Sequence, residues 1–157
     1  MATTFALIRD QQATKIAALT PSSRSDIKFV NHLAEAPFLA WVESNVNGCI
    51  RRFFIRNNFD IEIGPTSDGS LEWFTQTETV LVAYPEQWAL YGAGNEYDAD
   101  DFIEADLRSI DSTIGRNGSE NYVSTQHVTE LVGSSIERVP GAIILAMSFK
   151  TQYDRST

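Results

Sequence analysis

Two spacings of apolar residues alternate along this chain, and the points where one gives way to the other mark its elements. From Thr3 to Leu19, Phe5, Ile8, Ala13, Ile16 and Leu19 fall near helical spacing, with Arg9, Gln11, Gln12 and Lys15 between them. Thr3 or Thr4 is placed to cap the start, and Thr20-Pro21 ends the pattern because proline has no N–H to continue the ladder. Residues 21–48 carry no such period and read as a polar insert: PSSRSDIKFVNH is loop-like, and FLAWVES (38–44) suits a helical turn or a short strand.

Residues 52–63, RFFIRNNFDIEI, switch to strict alternation. Phe53, Ile55, Asn57, Phe59, Ile61 and Ile63 share one face, and Arg52, Phe54, Arg56, Asn58, Asp60 and Glu62 the other, which predicts a strand with one buried and one wet face. GPTSDGS (64–70) is dense in turn formers, with Asp68-Gly69 suited to a positive-φ position. The run from Leu71 to Tyr84 predicts a second strand ending at Pro85, and the pair predicts an antiparallel hairpin.

DADDFIEADLRSIDSTI (98–114) predicts a second helix, since Ile103, Leu107, Ile110 and Ile114 form one apolar stripe. Asp98, Asp100 and Asp101 sit at its start, where carboxylates meet free amides and the positive end of the dipole, and Gly115 is placed for a left-handed closing residue. Two further strands are expected over 125–133, extending toward Val139, and over 142–153, reversed at Pro140-Gly141. The order α-β-β-α-β-β predicts an α+β fold: a mostly antiparallel sheet of about four strands with two main helices packed on it. It occupies one domain over 1–157, with a frayed tail at 154–157.

Charge changes this picture by its distribution. The net charge of −9 divides into +3 over residues 1–56, −12 over 57–107, where no Lys or Arg occurs, and zero over 108–157. Such a run serves as a solvated acidic face or as one side of a contact between a basic edge and an acidic edge of neighbouring copies. The acidic balance argues against a dedicated nucleic-acid binder. One cysteine, Cys49, excludes an internal disulfide framework. No run is long and apolar enough to span a membrane, and MATTFALIRDQQ has no basic stretch followed by an apolar one, so a soluble intracellular protein is expected.

Catalytic chemistry finds no foothold. His32 and His127 lie far apart and outside any motif, and Cys49 has no nearby cysteine or base in sequence. Glu96, Asp98, Asp100 and Asp101 fail the calcium-loop template, because the sixth position from Asp98 is Ile103 and the twelfth is Ser109. Gly92-Ala93-Gly94 lacks the strand, helix and Lys-Ser/Thr of a phosphate loop. No catalytic residue, cofactor or metal is therefore expected, and the chain is not expected to be an enzyme. Trp73, Phe74, Trp88 and Tyr91 form an aromatic group that suits either core packing beneath a loop or a partner-facing patch.

The ordering of these features resembles the tail terminator and tail-completion (neck) proteins of long-tailed bacteriophages. The resemblance rests on the N-terminal amphipathic helix, Arg51-Arg52-Phe53-Phe54, the strand ending in Tyr84-Pro85, the helix DADDFIEADLRSI, and a long closing strand after a proline–glycine reversal. It covers most of the chain except about 21–48, which is longer and more polar than the family pattern. It implies a virion protein, assembled in the host cytoplasm, that forms a ring, typically a hexamer. Such a ring caps the tail tube protein and meets the head connector or stopper protein, and DNA passes through without specific binding. Arg51, Arg52, Arg56, Trp73, Phe74, Trp88, Tyr91, Asp98, Asp100 and Asp101 are the expected contact residues. The competing readings are a small-ligand module using the aromatic loop 84–97, another phage neck or head-completion protein, and a hydrolase or transferase assembled only in three dimensions.

Overall fold

A computed structural model of the chain describes residues 4–20, 28–31, 36, 38, 50–64, 73–85, 96–115, 127–139 and 142–154. In chain order these form helix α1 (Phe5–Ala17), strands β1 (Lys28–Asn31), β2 (Ile50–Gly64) and β3 (Trp73–Pro85), helix α2 (Glu96–Ile114), and strands β4 (His127–Val139) and β5 (Ala142–Asp154). The expected order of α-β-β-α-β-β with four strands is thereby corrected. The fold is a strand-rich α+β structure, and its described strands make one mixed sheet in the order β1-β2-β3-β5-β4. The additional strand, β1, lies inside the region expected to be a polar insert and pairs parallel to β2, from Lys28 opposite Ile50 to Asn31 opposite Phe53. Four residues, KFVN, are too few for alternation to stand out from a loop. Their strand character comes from the edge of β2 and from Phe29, which is buried edge-to-face against Phe53 at 6.2 Å.

The two hairpins form antiparallel as the turn signals predict, and β3 pairs with β5 along its whole length, from Trp73 opposite Asp154 to Pro85 opposite Ala142. Asp154, expected in a frayed tail, is thus the last residue of β5. Register fixes the faces. Phe53 and Ile55 lie opposite Val82 and Val80, and the same side of the sheet carries Leu145, Met147 and Phe149 of β5. An irregularity between Asn57 and Asp60 shifts β2 against β3 without exchanging faces, because Ile61 and Ile63 fall opposite Gln76 and Phe74. The alternation of β2 therefore holds to its end, but burial does not: Phe53 and Ile55 are in the core, whereas Ile61 and Ile63 are exposed.

Both helices cover this one face. Thr4, not Thr3, caps α1, its hydroxyl accepting a hydrogen bond from the Leu7 amide at 3.2 Å. Helix α1 buries Phe5, Ile8, Gln12, Ala13 and Ile16. Helix α2 places Ile103, Ile110 and Ile114 in the main core, with Leu107 packed at its margin. Gly115 does not adopt the left-handed backbone expected of it. A Cβ there would run into the carbonyl and carboxylate oxygens of Asp111, so close approach, not φ, excludes a side chain. The opposite face of the sheet carries a smaller core, Phe38 over Leu81, Ala83 and Ala142. Among the described residues, no helix is long and apolar enough to cross a membrane.

Candidate functional site

The expected contact residues that the structure describes sit at several places along the backbone. Arg51, Arg52 and Arg56 lie on β2, with Arg51 and Arg52 opposite Phe29 and Val30 and Arg56 opposite Thr79. Trp73 and Phe74 begin β3 at the other end of the sheet. Along β3, nine positions separate Trp73 from Val82, the partner of Phe53, or about 30 Å at the rise of a strand. Phe74 is half-buried and stacks on Tyr153 at 6.0 Å, inside a small cluster with Phe5 and Ile8. Asp98, Asp100 and Asp101 lie in the first turns of α2, where Asp101 is exposed. Trp88, Tyr91, His32, Cys49, the turn at 64–70 beyond Gly64, and Pro140-Gly141 lie outside the described residues.

The charge blocks are redistributed as well. Arg51–Arg56 and the acidic pair Asp60 and Glu62 are successive stretches of the same strand. Two of the acidic residues in the middle third are not on the surface at all, since Glu78 and Asp106 are fully buried. Asp106 accepts a hydrogen bond from the Tyr84 hydroxyl at 2.8 Å, which ties α2 to β3.

Glu78 belongs to a polar seam between α1 and the sheet. Its position on β3 follows from alternation: Gln76, Glu78, Val80, Val82 and Tyr84 all point to the helices, polar at one end and apolar at the other. Helix α1 lies over the polar end and contributes Gln12, one turn from both Ile8 and Ile16 on its buried stripe. Gln12 Nε2 donates to Thr129 Oγ1 at 3.5 Å on β4, Thr129 and Thr151 hydroxyls are 3.0 Å apart, and Thr151 donates to Glu78 Oε1 at 3.2 Å. The seam thus runs hydroxyl to hydroxyl and ends on the carboxyl group. Beside it, Gln76 Nε2 donates to the Tyr153 hydroxyl at 2.6 Å. Glu78 Oε2, Gln12 Oε1 and Gln76 Oε1 are buried acceptors with no donor among the described residues. Removal from water pushes the Glu78 pKa up to about 7, against the opposing pull of the Gln12 amide, the Thr151 hydroxyl and the Arg9 charge.

The other feature is open to solvent. On the face away from the helices, Asp60, Glu62, Thr75, Thr77, Val132 and Lys150 line a shallow trough of about 270 Å³. Lys150 Nζ approaches Glu62 Oε2 at 4.0 Å across β3, an exposed pair that contributes little to stability. Bordering the trough is β4, a strand of 13 residues at the edge of the sheet among the described strands. Every residue from Val132 to Arg138 is exposed, and Val132 and Ile136 each keep 56% of their surface in solvent. A register shift between Leu131 and Gly133 twists this edge, and Gly133 has open space where a side chain would stand.

Sequence reasoning missed Glu78, Gln12 and Asp106 although the signal was present. Each is a polar residue at a position its element's period assigns to the core: Gln12 between Ile8 and Ile16, Asp106 between Ile103 and Ile110, Glu78 in register with Val80 and Val82. No protein-family model matches the chain, and no curated protein matches it.

Proposed function

We propose that this chain is a structural subunit that joins copies of itself edge to edge into a ring, the role implied by its resemblance to tail terminators of long-tailed bacteriophages. The observation that carries this reading is β4: a long strand at the edge of the described sheet, exposed on both faces from Val132 to Arg138, with two large apolar side chains in solvent. The edge of a strand of this length offers a row of backbone donors and acceptors to another strand. Among the described strands, the opposite edge of the sheet is a different surface, with β1 outermost beside β2. Contact between two unlike surfaces is head-to-tail, and it closes into a ring where the rotation allows.

In this role the ring, a hexamer in the family pattern, caps the tail tube protein and presents its other side to the head connector or stopper protein. The particle location is the tail or neck of the virion, after assembly in the host cytoplasm. DNA passes through the lumen without specific recognition, as the chain's net charge of −9 favours. The subunit performs no chemistry.

Light scattering on the eluting protein, with negative-stain imaging of the peak, tests the proposal. A closed oligomer of defined order supports it. A strictly monomeric chain at every concentration reached overturns it.

A further inference from the structure

We propose that α1 is a proton-controlled latch, seated on the sheet when Glu78 carries a proton and loosened when Glu78 ionises. This is independent of the ring. It stands on the geometry of the seam. Followed from α1, Gln12 donates to Thr129, and Thr151 gives its one hydroxyl proton to Glu78 Oε1, which leaves Thr129 to donate across the Thr129–Thr151 pair. Two oxygens of this run are then buried acceptors without a donor among the described residues, Gln12 Oε1 on the helix and Glu78 Oε2 on the sheet, with Gln76 Oε1 a third beside them. A proton on Glu78 Oε2 supplies the donor the seam lacks, whereas a carboxylate leaves both oxygens unsatisfied and adds a buried charge.

Glu78 cannot relieve that cost by moving. It lies on β3, paired on one side with Asn57 of β2 and on the other with Phe149 of β5. The element able to yield is the helix above it, a 13-residue α1 held mainly by Phe5, Ile8, Ala13 and Ile16. The groups around Glu78 compensate its ionisation only in part: the Gln12 amide and the Thr151 hydroxyl favour the carboxylate, and burial outweighs them. Thr129, Thr151, Gln76 and Asn57 carry no charge, and Tyr153 is engaged by Gln76. Arg9 is the charged group that acts on Glu78, and its attraction is outweighed by burial. Asp106 is bonded to Tyr84, six positions further along β3 and about 20 Å away.

The test is hydrogen exchange of the α1 amides on the full chain, corrected for the intrinsic pH dependence of exchange, with the central amides of β3 and β5 as internal reference. Lifting α1 returns Glu78 to water and its ordinary pKa. The equilibrium for opening α1 therefore rises about tenfold or more between pH 5 and pH 7.5, and at both pH values α1 opens at a lower free-energy cost than the strand amides, which exchange only through global unfolding. In Glu78→Gln the α1 opening is independent of pH. A carboxyl-carbon NMR titration of the wild-type protein gives a check that needs no variant, with Glu78 titrating near neutrality. The latch is overturned by α1 protection that stays constant between the two pH values, by an equal change in Glu78→Gln, by α1 and strand amides of equal protection at both pH values, or by an ordinary Glu78 titration.

Discussion

Replacing Ile136 with serine separates assembly from folding. Ile136 lies on β4 opposite Leu145 and keeps 56% of its surface in water, so the monomer draws little stability from its side chain. For an isoleucine this exposed fraction is about 100 Å², and covering it with a neighbouring subunit at about 25 cal/mol per Å² is worth about 2.5 kcal/mol. Ile136→Ser therefore weakens each contact about 70-fold, while monomer stability in urea falls by no more than about 1 kcal/mol. Light scattering as a function of concentration reads the first quantity, and urea unfolding followed by tryptophan fluorescence reads the second. Wild-type and variant chains assembling with the same midpoint would refute the role of this edge. So would an oligomer lost only together with the fold, because Ile136 would then be a core residue of the subunit.

Further predictions concern the buried carboxyl groups, the end of α2 and salt. Glu78 binds its proton more tightly folded, near pH 7, than in the unfolded chain, near pH 4.5, so its favourable contribution is complete below pH 4.5 and lost as pH rises through 7. Urea unfolding of the wild type shows a loss of about 3 kcal/mol across that window that is missing from Glu78→Gln. Tyr84→Phe removes the donor to Asp106 and lowers stability by about 1–3 kcal/mol, measured by urea unfolding. Gly115→Ala forces a methyl group against the Asp111 oxygens and costs about 1–3 kcal/mol, read as a lower thermal midpoint. Raising sodium chloride tenfold changes assembly by less than about threefold, since backbone hydrogen bonds and apolar side chains at β4 are weakly screened; a steep decline would move the contact to Arg51, Arg52, Arg56 and the acidic residues.

Periodicity alone determined both helices and four of the strands. An alternating run such as RFFIRNNFDIEI or a stripe such as Ile103, Leu107, Ile110 and Ile114 states which face must leave water. It also assigned the two faces of β2 correctly across the register shift at Asn57. Composition showed that the acidic charge is concentrated in one third of the chain. Which of those faces are covered, and by what, was decided in three dimensions. KFVN became a strand only because β2 offered an edge and Phe29 a place against Phe53. Ile61 and Ile63 lie on the face the alternation gives them, yet they stay in solvent because that stretch of β2 is left uncovered.

Charge shows the same division. Counting carboxylates cannot reveal that Glu78 and Asp106 are inside, because their burial depends on Gln12, Thr129 and Thr151 arriving from distant segments and on Tyr84 meeting α2. That Arg52–Arg56 and Asp60–Glu62 share one strand, by contrast, follows from the alternation of RFFIRNNFDIEI. The local pattern is set by interactions among residues a few positions apart, which a linear chain records directly. The seam and the open edge depend on contacts between segments far apart in the chain, and those exist only once the sheet has closed around its helices.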